Sequence, residues 1–270
     1  MSRSDRTPHD TDLDRPSAAR IYDYNLGGSH NFAVDRMVAE KINQAMPELP
    51  AVNRANRSFL RRAVRFLARS GIRQFLDLGS GIPTVGNVHE IAQQAAPGVR
   101  VVYVDVDAVA VSHGNTILAN NPDAVAVRAD LRDPERILHH PQVNQLLDFD
   151  QPLAVLLLAV LHFVPDQDDP AGIVARLGGA TVAGSYLAIS HATQEGETAQ
   201  HAGLASRVST QNQIELTLRD RSQVTGLFGG YDLVEPGLVF TPEWRPDSPG
   251  DEFSDQPTRA ATLAGVGIRR

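Results

Sequence analysis

Three acidic residues close three successive apolar runs in the first half of the chain: Asp77 in QFLDLG, Asp105 in RVVYVDVD and Asp130 in AVAVRADL. A carboxylate beside apolar strand residues loses hydration, so a series of them calls for donors that offset the loss. Ribose hydroxyls could donate to Asp105 and an exocyclic amine to Asp130; both also read as residues that cap a helix or end a strand in solvent. The first run breaks into Gly79, Ser80 and Gly81, where the backbone can approach a bound group more closely than any side chain permits. An ordinary tight turn has the same composition. Asp107 follows Asp105 on the helix side of its turn, a position suited to capping. A fourth apolar run, PLAVLLLAVLHFV, reaches His162, whose ordinary pKa near neutrality suits a general base. Between Leu161 and Phe163 it reads equally as a packed histidine, and His191 after YLAIS has the same two readings.

These residues meet only if the runs lie side by side. Helical stretches separate them (VGNVHEIAQQAA, AVAVSHGNTILANN, a broken PERILHHPQVNQLL, DPAGIVARLGG), the alternation of an α/β domain. In an open parallel sheet, ligands collect beyond the carboxyl ends of the strands where the strand order reverses. The fourth run is continuous enough for a central strand covered on both faces. GSYLAIS is a fifth strand, YDLVEP and LVFTP are shorter candidates, and ATLAGVGIR is expected as a final edge strand. The acidic, proline-rich PEWRPDSPGDEFSDQP reads as a loop.

Ahead of the alternation, residues 1–16 are polar and aperiodic and are expected to form a disordered tail. Two helical patterns follow, NFAVDRMVAEKINQAM and AVNRANRSFLRRAVRFLARSG, the second stopped by Gly71. Arg54, Arg57, Arg61 and Arg65 form a row that reads as a solvated face, with an anion site as the lesser alternative. The segment RIYDYNLGGSHNF gathers Tyr22, Tyr24, His30, Asn31 and Phe32 around two glycines. It suits the edge of a lid, or a structural turn with buried tyrosines.

Composition narrows the chemistry. The chain has 270 residues, 42% of them hydrophobic, and no cysteine, which removes disulfides, thiol nucleophiles and thiolate metal sites. A net charge of −7 disfavours a nucleic-acid partner. The absence of a long apolar stretch gives no membrane segment and a cytoplasmic expectation. No metal constellation is evident, since the adjacent His139 and His140 cannot share one site from a regular helix. Pro83 interrupts the glycine pattern where a dinucleotide fingerprint would open into a helix, favouring an adenosyl ligand without phosphates over NAD.

Taken in order, LDLGSG, VYVDVD, RADLRDP, LLLAVLHFVPD and GSYLAISH resemble the class I S-adenosylmethionine-dependent methyltransferases. With SAARIYDYNLGGSHNFAVDR in front, the chain resembles an actinobacterial family of these enzymes long catalogued as a domain of unknown function. The resemblance implies a Rossmann-like α/β fold, a mostly parallel sheet flanked by helices, with an N-terminal helical extension and lid over 17–70 and the methyltransferase domain over 71–270. It implies S-adenosyl-L-methionine as cofactor, with S-adenosyl-L-homocysteine as product. Gly79, Ser80 and Gly81 would line its methionine portion and Asp77 would face the ammonium. Asp105, with Asp107 nearby, would hold the ribose, Asp130 and Leu131 would meet the adenine, and Tyr22 and His30 would close from the lid. His162 is the candidate base. The fourth strand lacks the Asn/Asp-Pro-Pro-aromatic signature of amino-methylating nucleic-acid enzymes, so a small-molecule acceptor is expected. A binding protein without turnover, and less readily an NAD-dependent oxidoreductase, are the alternatives.

Overall fold

The computed structural model describes residues 14–83 and 86–270. The expected tail lies outside the described residues as far as residue 13. Three helices lead: α1 (Ala18–Asn25), α2 (Ala33–Ala45) and α3 (Leu49–Arg69). The α/β alternation then runs β1 (Gln74–Leu78), α4 (Val88–Ala95), β2 (Arg100–Asp105), α5 (Ala108–Ile117), β3 (Ala124–Arg128), α6 (Pro134–Leu138), α7 (Pro141–Leu146), β4 (Ala154–Leu158), α8 (Pro170–Gly179) and β5 (Tyr186–Ala192). It closes with α9 (Ala199–Gln211), α10 (Arg221–Gly226), β6 (Tyr231–Leu233), β7 (Val239–Phe240) and β8 (Thr262–Arg269).

The sheet order is β3-β2-β1-β4-β5-β8-β6, with β7 pairing beside β8. β1 to β5 are mutually parallel, and β8 runs antiparallel to β5 and β6. The order reverses between β1 and β4, which opens the crevice at their carboxyl ends. Both faces are covered. Phe59, Val64, Leu67, Phe75, Val101 and Trp244 pack on one side, and Leu76, Val102, Leu157, Ile173 and Leu187 on the other. Each fully buried side chain of this size contributes about 1.5–3 kcal/mol.

One expectation is corrected. ATLAGVGIR is an interior strand: β8 lies between β5 and β6, with Leu263, Ala264 and Val266 fully buried, so the short β6 is the edge. Gly267 permits this packing, because a Cβ there would come within 2.8 Å of the Tyr231 Cβ. The arginine row on α3 is exposed or half-buried, as expected of a solvated face, and two of its members also meet acids. Arg54 pairs with Glu252 at 2.6 Å and Arg65 with Asp247 at 2.9 Å, drawing the acidic loop onto the helix.

α1, α2, the start of α3 and α9 form a separate layer over the carboxyl ends of the strands, built on Ile21, Val38, Ile42, Val52, Ala202 and Ala205. Among the described residues no helix is long and apolar enough to cross a membrane, and no cluster of His, Asp and Glu offers a metal site.

Candidate functional site

The apolar alternation that makes β1 and β2 also fixes where their last side chains go. Asp77 pairs in register with Tyr103 and shares its face. It is 5% exposed, and no described residue hydrogen-bonds its carboxylate. Burial raises its pKa to about 7 against the opposing field of Arg57, with Asp105 adding to the rise. Asp105 ends β2, equally buried, and burial lifts it to about 6 although two backbone N–H groups donate to it: Gly81 at 2.7 Å and Asp107 at 2.8 Å. Gly79 and Gly81 both adopt positive φ, +68° and +66°. A Cβ on Gly79 would strike Val160, whereas on Gly81 it would meet nothing within 4 Å. Ser80 bridges the two, half-buried, its N–H donating to Val104 O. The turn is therefore held by a carboxylate and open on one side.

Asp107 caps α5, accepting from Val109 N and Ala110 N, and also receives Ser17 Oγ at 2.5 Å and Arg20 Nη1 at 3.1 Å. Arg20, 3% exposed, bridges it to the fully buried Asp35 at the start of α2. The front of α1 is thus fastened to the helix that follows Asp105. His30 reaches the same helix, its ring centroid 4.0 Å from that of His113. Its loop is wound around Asp23, which accepts from His30 N and Asn31 Nδ2. The Tyr22 hydroxyl turns toward α3, donating to Asn53 O and accepting from Asn56 Nδ2, both at 3.1 Å.

Asp130, His162 and His191 each have protein partners. Both carboxylate oxygens of Asp130 accept from Arg132, at 2.5 Å for the shortest contact; burial raises its pKa, but the bonds and field of Arg132 outweigh it and hold the acid below its ordinary value. Leu131 beside it is buried. His162 is 7% exposed, packed against Phe163 and His191, and its Nδ1 lone pair accepts from Ala192 N at 3.3 Å. Burial, then the fields of His191 and Arg219, push its pKa well below the usual histidine range. His191 donates from Nδ1 to Ala192 O and accepts at Nε2 from Arg219, and burial lowers it to about 4. Both rings are engaged in shaping the turn after β4, the packed setting that was one of the two readings of each.

Other residues escaped the sequence reading. Val106, an apolar side chain 56% exposed, stands between Asp105 and Asp107 at the end of β2. Arg57, read from the sequence only as a member of the arginine row, sets a field on Asp77 and donates to Gly86 O at 2.9 Å, tying α3 to the segment after the glycine turn. Asn56 and Ser190 join α3 to β5 at 2.6 Å. Their only sequence signal was Asn53 and Asn56 three apart in a helix whose other polar residues are mostly arginines. Together the strand ends offer a buried acid with no hydrogen-bond partner among the described residues, a second acid on the adjacent strand, an open glycine turn and an exposed valine. That set suits a ligand with a cationic group, hydroxyls and a flat ring.

Comparison with known proteins bears on the same region. The profile of the S-adenosyl methyltransferase family matches residues 4–270. A crystal structure from Thermobifida fusca, described provisionally as a methyltransferase, superposes with a TM-score of 0.91 at 40% identity, covering 99% of this chain and 100% of that one. A DUF574 family protein from Streptomyces avermitilis gives 0.91 at 39% identity, covering 97% and 100%. Human N-acetylserotonin methyltransferase, in complex with S-adenosylmethionine, shares the fold at 15% identity and a TM-score of 0.50, covering 94% of this chain and 63% of that one. No curated protein sequence matches the chain. With its order of strands, its crevice and its near full-length match, the chain belongs to the S-adenosyl methyltransferase family, whose members are S-adenosylmethionine-dependent enzymes.

Proposed function

We propose that the crevice at the ends of β1 and β2 holds S-adenosylmethionine and that the protein transfers its methyl group to a small-molecule acceptor entering beside the turn after β4. The observation that carries this reading is the buried pair of acids on adjacent strands, one of them without a hydrogen-bond partner among the described residues. In this reading Asp77 accepts from the ligand's ammonium, Gly79, Ser80 and Gly81 lie along its methionine portion, and Asp105 accepts from the ribose hydroxyls. Val106 and Leu131 flank the base. The bound cofactor supplies an activated methyl group on a sulfonium. The chain's part is to orient the two reactants and exclude water, for which the layer of α1, α2 and α9 is suited. Residues 17–70 act as the lid and 71–270 as the catalytic domain, with α9 lent to the lid from the far end of the sequence. Asp107, Tyr22 and His30 serve closure and Asp130 stays with Arg132.

The engaged states of His162 and His191 favour an acceptor that needs no histidine base, such as an amine with a free lone pair or an ionised oxygen or sulfur. The net charge of −7 favours a small molecule over a nucleic acid. Calorimetry with S-adenosylhomocysteine tests the assignment. Wild type is expected to bind saturably, and NAD is not. Asp105→Ala is expected to weaken binding about 30- to 1000-fold, from lost charge-assisted hydrogen bonds worth about 2–4 kcal/mol. A folded Asp105→Ala protein with wild-type affinity would refute the ribose role.

A further inference from the structure

The turn after β4 has an unusual backbone. Ala159, a non-glycine residue, sits at φ +54° directly beyond the strand. Such a conformation persists only where its surroundings impose it. Here the Ala159 N–H donates both to Ser190 O at 3.0 Å and to Ser190 Oγ at 2.9 Å. Ser190 is fully buried on β5, and its hydroxyl has one proton to place. It donates to Asn56 Oδ1 on α3 at 2.6 Å. Asn56, 5% exposed, uses its other end to donate to Tyr22 Oη, and Tyr22 donates to Asn53 O.

The chain of bonds has one direction. Ala159 N–H can only donate and Asn53 O can only accept, so every hydroxyl and amide between them is satisfied when Asn56 presents its oxygen to Ser190 and its nitrogen to Tyr22. Turning the amide over would leave the Ser190 proton facing a donor. Four elements are joined without a gap: the β4 turn, β5, α3 and α1. Burial raises the cost of breaking any one link, since the freed group has no water to turn to.

We propose that Asn56 is a positioning residue that makes the seating of α1 and the shape of the β4 turn a single event. The consequence for the reaction rests on the strand-end crevice being the cofactor site: the lid closes over the cofactor only when the turn beside the acceptor holds its working shape. Tyr22 and Ser190 do not bond each other, so any coupling between them runs through Asn56.

The test compares Tyr22→Phe, Ser190→Ala and the double variant in the full chain. Each substitution deletes one oxygen, and thermal melting checks that the fold is kept. The readouts are hydrogen exchange of the α1 amides without ligand and affinity for S-adenosylhomocysteine. Each single variant is expected to speed α1 exchange about 10-fold and to weaken binding about 10-fold. The double variant should do no more than the worse single one, because the relay is already broken. Ser185→Ala is the control. That hydroxyl is as buried and lies at the other end of the sheet, accepting from Leu153 N at 3.2 Å, and its loss should leave α1 exchange unchanged. The proposal fails if the two effects multiply to about 100-fold, if Ser190→Ala changes exchange only in β4 and β5, or if Ser185→Ala disturbs α1 equally. Should wild type bind no S-adenosylhomocysteine, the cofactor assignment falls and the exchange data still decide the relay.

Discussion

At Asp77 the loss of hydration outweighs the field of Arg57, and the acid keeps its proton to about pH 7. The sign of the resulting linkage is fixed. A carboxyl whose folded pKa is raised holds a proton that the unfolded chain has already released, so stability falls as pH rises from about 4 to about 7 and levels off above. Asp77→Asn removes this term. Urea unfolding at pH 5 and pH 8 should show wild type losing stability across that interval by up to about 2.7 kcal/mol more than the variant does. Ligand binding carries the opposite sign, because an ammonium prefers the ionised acid. Affinity for S-adenosylhomocysteine is expected to rise with pH to about 7 and then to flatten, as read by calorimetry across pH 5.5–8. In Asp77→Asn the rise should shrink to the part owed to Asp105, whose own titration lies near pH 6.

α3 does two jobs from two faces. Its apolar side, with Phe59, Val64 and Leu67 fully buried, packs on the sheet. Its polar side clamps the acidic loop, and there the buried Arg62 matters more than the exposed row around it. Arg62 donates to Trp244 O at 2.8 Å, Thr241 O at 2.7 Å and Asp251 at 3.0 Å. Exposed pairs such as the one between Arg65 and Asp247 contribute about 0–1 kcal/mol, so Arg65→Ala should hardly change stability. Arg62→Ala leaves two carbonyls and a partly buried acid without donors and is expected to cost about 3 kcal/mol in urea unfolding. It should also open the loop over 245–256 to proteolysis, which mass spectrometry of the fragments would locate.

Across the molecule, the layer over the strand ends is held to the sheet domain by a small number of buried polar contacts. Arg20 is central to them: it bridges Asp35 at 2.8 Å and Asp107 at 3.1 Å. Removing it strands two buried acids, a loss of about 3–5 kcal/mol. Because the sheet has its own core, Arg20→Ala is expected to open residues 14–48 locally while β1 to β5 stay protected. Hydrogen exchange should show fast amides in α1 and α2 beside unchanged ones in the sheet. Uniform acceleration throughout the chain would instead mean that the layer and the sheet unfold as one unit.

The sequence by itself determined the alternation of strands and helices, the three acidic strand ends and the glycine turn, because apolar period and turn composition are local properties that tertiary packing did not override. The capping role of Asp107 was legible for the same reason. What only the tertiary structure decided depends on neighbours distant in the chain. The interior place of β8 follows from pairing with β5 some 75 residues earlier, roughly counted, which no local pattern encodes. The depressed pKa of His162 follows from its burial, then from His191 and Arg219, and the engagement of Asp130 from the rotamer Arg132 adopts. No local pattern marks Asn56; its part depends on Ser190 and Tyr22, which the fold brings to either end of its amide. A side chain's chemistry is written in its type, but whether its lone pairs and protons are free is set by what the fold places within three ångströms of them.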